Sequence, residues 1–253
     1  GGIPDAHHLQ DQFDLLGPSR EVLSGSTADW DALVARLEST GAAAAADYDY
    51  VKTQVDVDNF IDYNCIQFYA ANQDWPGNNV KWWKQHGAEG RWRWALYDLD
   101  FAFHDPTLDM ITFATTINDG WPNPEWSTFL LRTLLGNDDF RRRFCNRCAV
   151  WLATNFAPGR VTAQIDAMAD AIRDEVPRFF ERWGLDAAEW QAEVDQMRSF
   201  AAVRPDLMRQ HLAGYFGYPG TFELGLQTSG GQVLVEGIAI PAGGLSAACG
   251  KST

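Results

Sequence analysis

The residues best suited to chemistry fall into two short polar runs. The first is Asn72-Gln73-Asp74-Trp75-Pro76-Gly77-Asn78-Asn79, and the second is Asp98-Leu99-Asp100. Carboxylate and amide oxygens are hard ligands that suit Mg²⁺ or Mn²⁺. Phosphoryl transfer demands little else of a protein. It needs divalent ions on nucleotide phosphates, a carboxylate aimed at the acceptor hydroxyl, and rigid elements beneath both. Asp and Asn are also ordinary turn residues, so composition alone leaves a plain loop open.

The flanking elements decide whether the two runs can meet. Asp56 is a helix cap, and Val57, Phe60, Ile61, Cys65 and Phe68 recur at helical spacing on a core-facing side. Pro76 and Gly77 break that geometry and leave residues 72–79 as a loop. Two strands are predicted next, over 80–84 and 91–97, with Gly87 and Gly90 in the turn. A hairpin that starts at the first run must return its far end, Tyr97 to Phe103, close by.

Elsewhere the pattern is mainly helical. Thr27 is a candidate cap for a helix with Trp30, Leu33, Val34 and Leu37 on one face, and the alanine run 42–46 leads into a second short helix. Helices are predicted over 125–135, 138–154, 160–182 with a break near Pro177, and 187–215 with a break near Pro205. After Gly217 the alternation at 222–226 and 232–240 reads as strands, and residues from Pro241 onward read as loose. The fold class expected is α+β and mostly α, with a small antiparallel hairpin. Residues 1–27 form an upstream remnant, 28–216 the main unit, and 217–253 the start of a β-rich domain.

Composition removes several function classes. The formal net charge is −14, which repels phosphate backbones and anionic lipid heads and argues against nucleic-acid binding. No apolar run is long enough to span a bilayer. The start at Gly1-Gly2-Ile3 reads as a cut inside a longer protein. Cys145 and Cys148 make a CxxC inside a helical pattern, without the further ligands a zinc site needs, and read as core-facing thiols. The Arg141–Arg143 run reads as a solvated helix face. His7, His8, His86, His104 and His211 are scattered and form no Ser-His-Asp or H-E-x-x-H pattern.

Spacing sharpens the reading. Asn79 follows Asp74 by five positions, the offset between the catalytic-loop Asp and the metal-binding Asn of protein kinases. The runs Asn59-Phe-Ile-Asp-Tyr63, Asn72 to Lys81 and Arg91 to Phe103 closely resemble the CotH family, atypical kinases of spore coats and secreted bacterial proteins. The likeness continues through Trp126 to Leu131, Phe140 to Phe144 and Arg182-Trp183, and so covers about residues 28–216. The resemblance implies a kinase-like catalytic lobe that moves the γ-phosphoryl group of ATP to protein Ser or Thr hydroxyls with Mg²⁺ or Mn²⁺. It implies a secreted, cell-surface or spore-coat location. By the same resemblance Asp74 is the catalytic Asp and Asn72 its support, while Asn79 and Asp98 are metal ligands. Asp100 is a further ligand or a brace, and Asn78 holds the loop.

The chain departs from conventional kinases in one respect. No G-x-G-x-x-G run occurs, Lys52 and Lys81 lie in no clear lobe strand, and the first 27 residues are too few for a nucleotide-covering lobe. The N-terminal lobe is therefore expected to be missing. Three rivals remain: a DxD-type metal-dependent glycosyltransferase through Asp98 and Asp100, a glycosidase stacking sugars on Trp75, Trp82, Trp83, Trp92 and Trp94, and an inactive surface-binding or adhesion module. Metal-dependent nucleotide binding separates the last of these from a kinase.

Overall fold

A computed structural model describes residues 12–117, 121–184, 186–224, 233–240 and 245–249. Among them, helices dominate and a small antiparallel sheet closes one side. The sheet has four strands rather than a lone hairpin: β1 (Phe13–Leu16), β2 (Val22–Ser24), β3 (Lys81–Gln85) and β4 (Arg93–Ala95), in the order β2-β1-β3-β4. β1 and β2 lie in the stretch read from sequence as an upstream remnant, and β1 pairs along its whole length with β3. All four β1 residues are buried, Asp14 included, because its carboxylate accepts from Ser26 N at 2.8 Å and contacts His86 Nε2 at 3.1 Å. β4 is shorter than predicted; Trp92 turns aside to bridge Val55 and its N–H donates to Gln54 O.

The helices are α1 (Ala28–Thr40), α2 (Ala45–Gln54), α3 (Val57–Ala70), α4 (Met110–Thr115), α5 (Phe129–Leu134), α6 (Asp138–Ala153), α7 (Pro158–Ile172), α8 (Val176–Trp183) and α9 (Ala187–Phe216). Helix α3 is central. Its cap is Asp56, which accepts from Asn59 N at 3.1 Å, and the five predicted core positions are buried together with Tyr63, Asn64 and Gln67. Trp82 and Trp94 face each other across β3 and β4 and pack with Trp30 of α1 and Phe60 of α3. Aromatic edges and faces meet in this layer, so these tryptophans pack in the core.

Several expectations change. Thr27 precedes α1 but does not cap it, since its hydroxyl donates to Asp31 Oδ2 at 2.6 Å. The predicted break near Pro177 comes earlier, as a 3₁₀ turn over Arg173–Glu175, and Pro177 occupies the first turn of α8, where a missing N–H costs nothing. Pro205 lies within the 30-residue α9 and does not end it. Buried Phe200, Ala201, Arg204, Met208 and Leu212 hold both halves against the core, and that packing outweighs one lost hydrogen bond. Helix α4, capped by Asp109, carries no strong sequence signal.

Cys65, Cys145 and Cys148 are buried, as the core-thiol reading requires, and burial pushes the Cys148 thiol up. Arg141 and Arg142 pair with Asp138 and Asp139 one turn away, while Arg143 reaches Asp58 of α3 at 2.6 Å. The later strands are β5 (Thr221–Leu224), β6 (Val233–Val235), β7 (Ile238–Ile240) and β8 (Leu245–Cys249), pairing as β5–β8 and β6–β7. Arg147 Nη1 donates to Glu236 O at 2.6 Å and Ile240 packs on Val150, so the β6–β7 hairpin rests on α6. The stretch 245–249, read as loose, is a strand. The readings at 225, 226, 232 and 241–244 lie outside the described residues.

Candidate functional site

The first loop begins where α3 ends. Ala71 adopts a left-handed conformation (φ 50°) and turns the chain out of the helix. Asn72 is fully buried; its Oδ1 accepts from Asp74 N at 3.2 Å and its Nδ2 donates to Gln67 Oε1 at 3.0 Å. This fixes the turn that presents Asp74, so Asn72 works from beneath the loop. Trp75 is buried edge-on against Phe68. Gly77 N donates to Pro122 O at 2.7 Å, and a Cβ there would stand 2.5 Å from Pro124 Cδ. Only glycine admits that approach.

Asp74 is the hub. Its Oδ2 accepts from Asn78 Nδ2 at 2.7 Å and from Asn79 Nδ2 at 2.8 Å. Among the described residues no hydrogen bond engages Asp74 Oδ1 or Asn79 Oδ1, which leaves two oxygens for a substrate or cation. Asn79 has φ 50°, a conformation that asparagine tolerates better than most residues.

The second loop is stitched to the first by backbone. Gln73 N donates to Phe101 O at 3.1 Å and Phe103 N to Ala70 O at 2.8 Å, while Ala102 N closes a turn on Leu99 O. Asp98 is itself left-handed, with φ 52°. Its carboxyl titrates above the usual carboxylate range, chiefly because the Asp100 carboxyl lies beside it, then through lost hydration and the charges of Asp100 and Asp74. Burial raises Tyr97, and the charges of Asp98 and Asp74 add to that. Lys81 opens β3 and holds its Nζ 4.6 Å from the Tyr97 ring centroid; Lys52 pairs with Asp49 instead.

The structure thus joins Asp74, Asn78 and Asn79 in one hydrogen-bonded cluster and sets Asp98 within its electrostatic reach, with Asp100 bonded to Asp98. Sequence reasoning missed Gln67, whose burial follows the helical phase of α3, and Tyr97, which borders Asp98. A cavity of about 500 Å³ lies behind the first loop, lined by Trp75, Val80, Trp30, Trp82, Trp94 and Trp126 among others, and none of the five acidic and amide residues lines it. Trp75, Trp82, Trp92 and Trp94 are core residues. His86 contacts Asp14 far from the loop, and His7 and His8 lie outside the described residues.

The donor set suits a hard cation. Among the described residues no three acidic, histidine or cysteine side chains make a ready-formed metal cage. Mg²⁺ typically uses one or two carboxylates and completes its shell with water and substrate phosphates. Two adjacent carboxyls, whose shared hydrogen bond is the chief cause that raises Asp98, fit that style of binding.

The first loop thus holds Asp74 by two amides, and the second brings Asp98 within its electrostatic reach. A family model described as CotH kinase protein matches residues 11–208, and the chain belongs to the CotH family. The match begins ahead of β1, in keeping with the pairing of that strand to β3. No curated protein and no solved structure matches the chain. Among the described residues no helix is long and apolar enough to cross a membrane.

Proposed function

We propose that this site transfers the γ-phosphoryl group of ATP to a Ser or Thr hydroxyl of a protein, and that Asp74 is its general base. The observation that carries the reading is the anchoring of one Asp74 oxygen by Asn78 and Asn79, which leaves the other free, with Asp98 within the electrostatic reach of Asp74 and Asp100 next to Asp98. An oriented carboxylate with one free oxygen can accept a hydroxyl proton as the hydroxyl oxygen bonds to phosphorus. The bond from phosphorus to the β,γ-bridging oxygen breaks, and ADP leaves with that electron pair. Asn79 Oδ1, Asp98 and Asp100 would hold Mg²⁺ or Mn²⁺, which when bound neutralises charge on the phosphates. Lys81, near Tyr97, is the cation closest in chain to the loop and is suited to meet phosphate oxygens.

Family membership supports the kinase reading. A secreted, cell-surface or spore-coat location is the one we infer for the protein, from its family. The test is incorporation of γ-labelled phosphate into Ser or Thr by the full chain with Mg²⁺ or Mn²⁺, alongside Asp74→Asn. Label that depends on metal and is lost in Asp74→Asn supports the assignment; undiminished label in that variant removes Asp74 from the mechanism. Absence of any metal-dependent nucleotide binding by thermal shift favours the binding-module alternative.

A further inference from the structure

Arg204 is fully buried in the middle of α9 and has no carboxylate partner among the described residues. Its guanidinium donates only to backbone carbonyls. Nε reaches Tyr69 O at 3.0 Å and Nη2 reaches Phe68 O, both at the C-terminal end of α3. Nη1 reaches Pro106 O at 2.6 Å and Leu108 O at 2.9 Å, on the segment that carries the chain from the second loop to α4. Desolvation pushes its pKa down to about 10, which is still well above neutrality, so the group stays charged.

A bare guanidinium in the core is costly, and carbonyl dipoles offset that cost only when several converge. The last carbonyls of a helix lack intrahelical partners and form its negative end, so Phe68 and Tyr69 are apt acceptors. Their position matters more than their number. Three residues after Tyr69 the chain enters the loop at Asn72, and Pro106 follows Phe103, which bonds back to Ala70. One planar group therefore grips the root of the Asp74 loop and the exit of the Asp98 loop together.

We propose that Arg204 is a positioning residue for the candidate site, setting the separation between the Asp74–Asn79 cluster and the Asp98–Asp100 pair through four backbone carbonyls. The part played in turnover rests on the kinase reading; the clamp itself does not. A lysine carries the charge but cannot span two segments with a planar fork of donors. The tests are Arg204→Lys and the uncharged, similar-sized Arg204→Met in the full chain.

Hydrogen exchange is the first readout and needs no activity. The clamp predicts that amides of 72–79 and 98–108 lose protection together in folded Arg204→Lys, while those of α7 do not. In assays where wild type is active, kcat falls about a hundredfold, as expected for misplacement near 1 Å, and the metal concentration for half-activity rises, with KM for the acceptor unchanged. If wild type is inactive, the kinase reading fails and the exchange result still decides the clamp. Wild-type protection at both segments overturns the proposal. So does wild-type kcat per folded molecule in an active enzyme, or failure of both variants to fold, which assigns Arg204 to global stability.

Discussion

The two polar loops and the α7–α8 arm use the same residue types in different ways. Beneath the first loop Asn72 is fully buried and bound on both sides of its amide, and in α3 Asp62 takes Arg147 through two oxygens and Trp151 Nε1 through one, while Asp98 and Asp100 lie exposed. Left-handed Ala71, Asn79, Asp98 and Phe103 cluster there too, a strain that persists only where surrounding contacts over-determine it. In the arm, Asp170–Arg173 and Glu175–Arg178 are exposed pairs one turn apart, and Met168, Ile172, Phe179 and Trp183 are open to solvent. A small satellite cluster, Ile165 and Ala169 with Val194 and Ala201, ties α7 to α9. The loops rest on buried polar groups such as Asn72, whereas the arm turns its aromatics outward.

The sharpest way to break the comparison is Asp74→Asn. Removing a positioned base typically costs about 10² to 10⁴ in rate, so phosphate incorporation should fall by at least about a hundredfold. The melting temperature should change by only a few degrees, because Asn keeps the shape and one acceptor oxygen for Asn78 and Asn79. Retained activity with an intact fold would place the chemistry elsewhere.

Next comes the scaffold behind the loops. Asp62→Ala leaves Arg147, 8% exposed, without the carboxylate it meets at 2.5 and 2.7 Å. Breaking a fully buried pair costs about 3 kcal/mol or more; here Asp62 is 25% exposed and Asp58 stays 3.7 Å from Arg147, so the loss should be about 1 to 3 kcal/mol. The arm's Asp170→Ala removes a pair of the same kind in solvent and should cost about 0 to 1 kcal/mol. Chemical denaturation of both variants measures the contrast; equal losses would erase the distinction between regions.

How much of this was readable in the sequence follows the same line. Asp74, Asn79 and Asp98 were legible because a fixed offset and a hairpin place them, and α3 was legible because Val57, Phe60, Ile61, Cys65 and Phe68 keep helical phase. The β1 strand was not. Phe13-Asp14-Leu15-Leu16 has no alternation, its acid is paid for by distant Ser26 and His86, and its partner Trp83 lies far along the chain. Pro205 misled because local propensity yields to tertiary packing. Arg204 gave no signal, since its partners are backbone carbonyls that any residue could supply.

Asp98→Asn sharpens the comparison by separating function from stability. On the proposed reading Asp98 is a metal ligand, and its loss should raise the metal concentration for half-activity by at least about tenfold, since changes to the groups behind a ligand already cost about 10- to 100-fold. In metal-free buffer the same change should stabilise the fold, because it removes a charge crowded by Asp100 and Asp74. The sign with pH follows from the raised carboxyl. The folded chain holds that proton more tightly than the unfolded one, so Asp98 favours folding most in acid and loses that contribution as pH climbs through its folded value. The melting advantage of the variant should therefore be present at neutral pH and shrink toward zero in acid. An advantage independent of pH would mean that the carboxyls do not crowd each other.

The smallest effect belongs to the arm. Phe179 and Trp183 stand one turn apart on α8, 54% and 61% exposed, and touch mainly each other and Phe180. Replacing both with Ser removes little buried area, and surface changes away from special features stay within about 0.5 kcal/mol each. The double variant should melt within a few degrees of wild type and keep its rate of phosphate transfer. A drop in kcat at unchanged stability would show that the arm communicates with the loops through α9, where Val194 and Ala201 receive α7 and Ala201 lies a single turn before Arg204. That result would move the boundary between the two regions from the surface of α9 to the exposed face of α8.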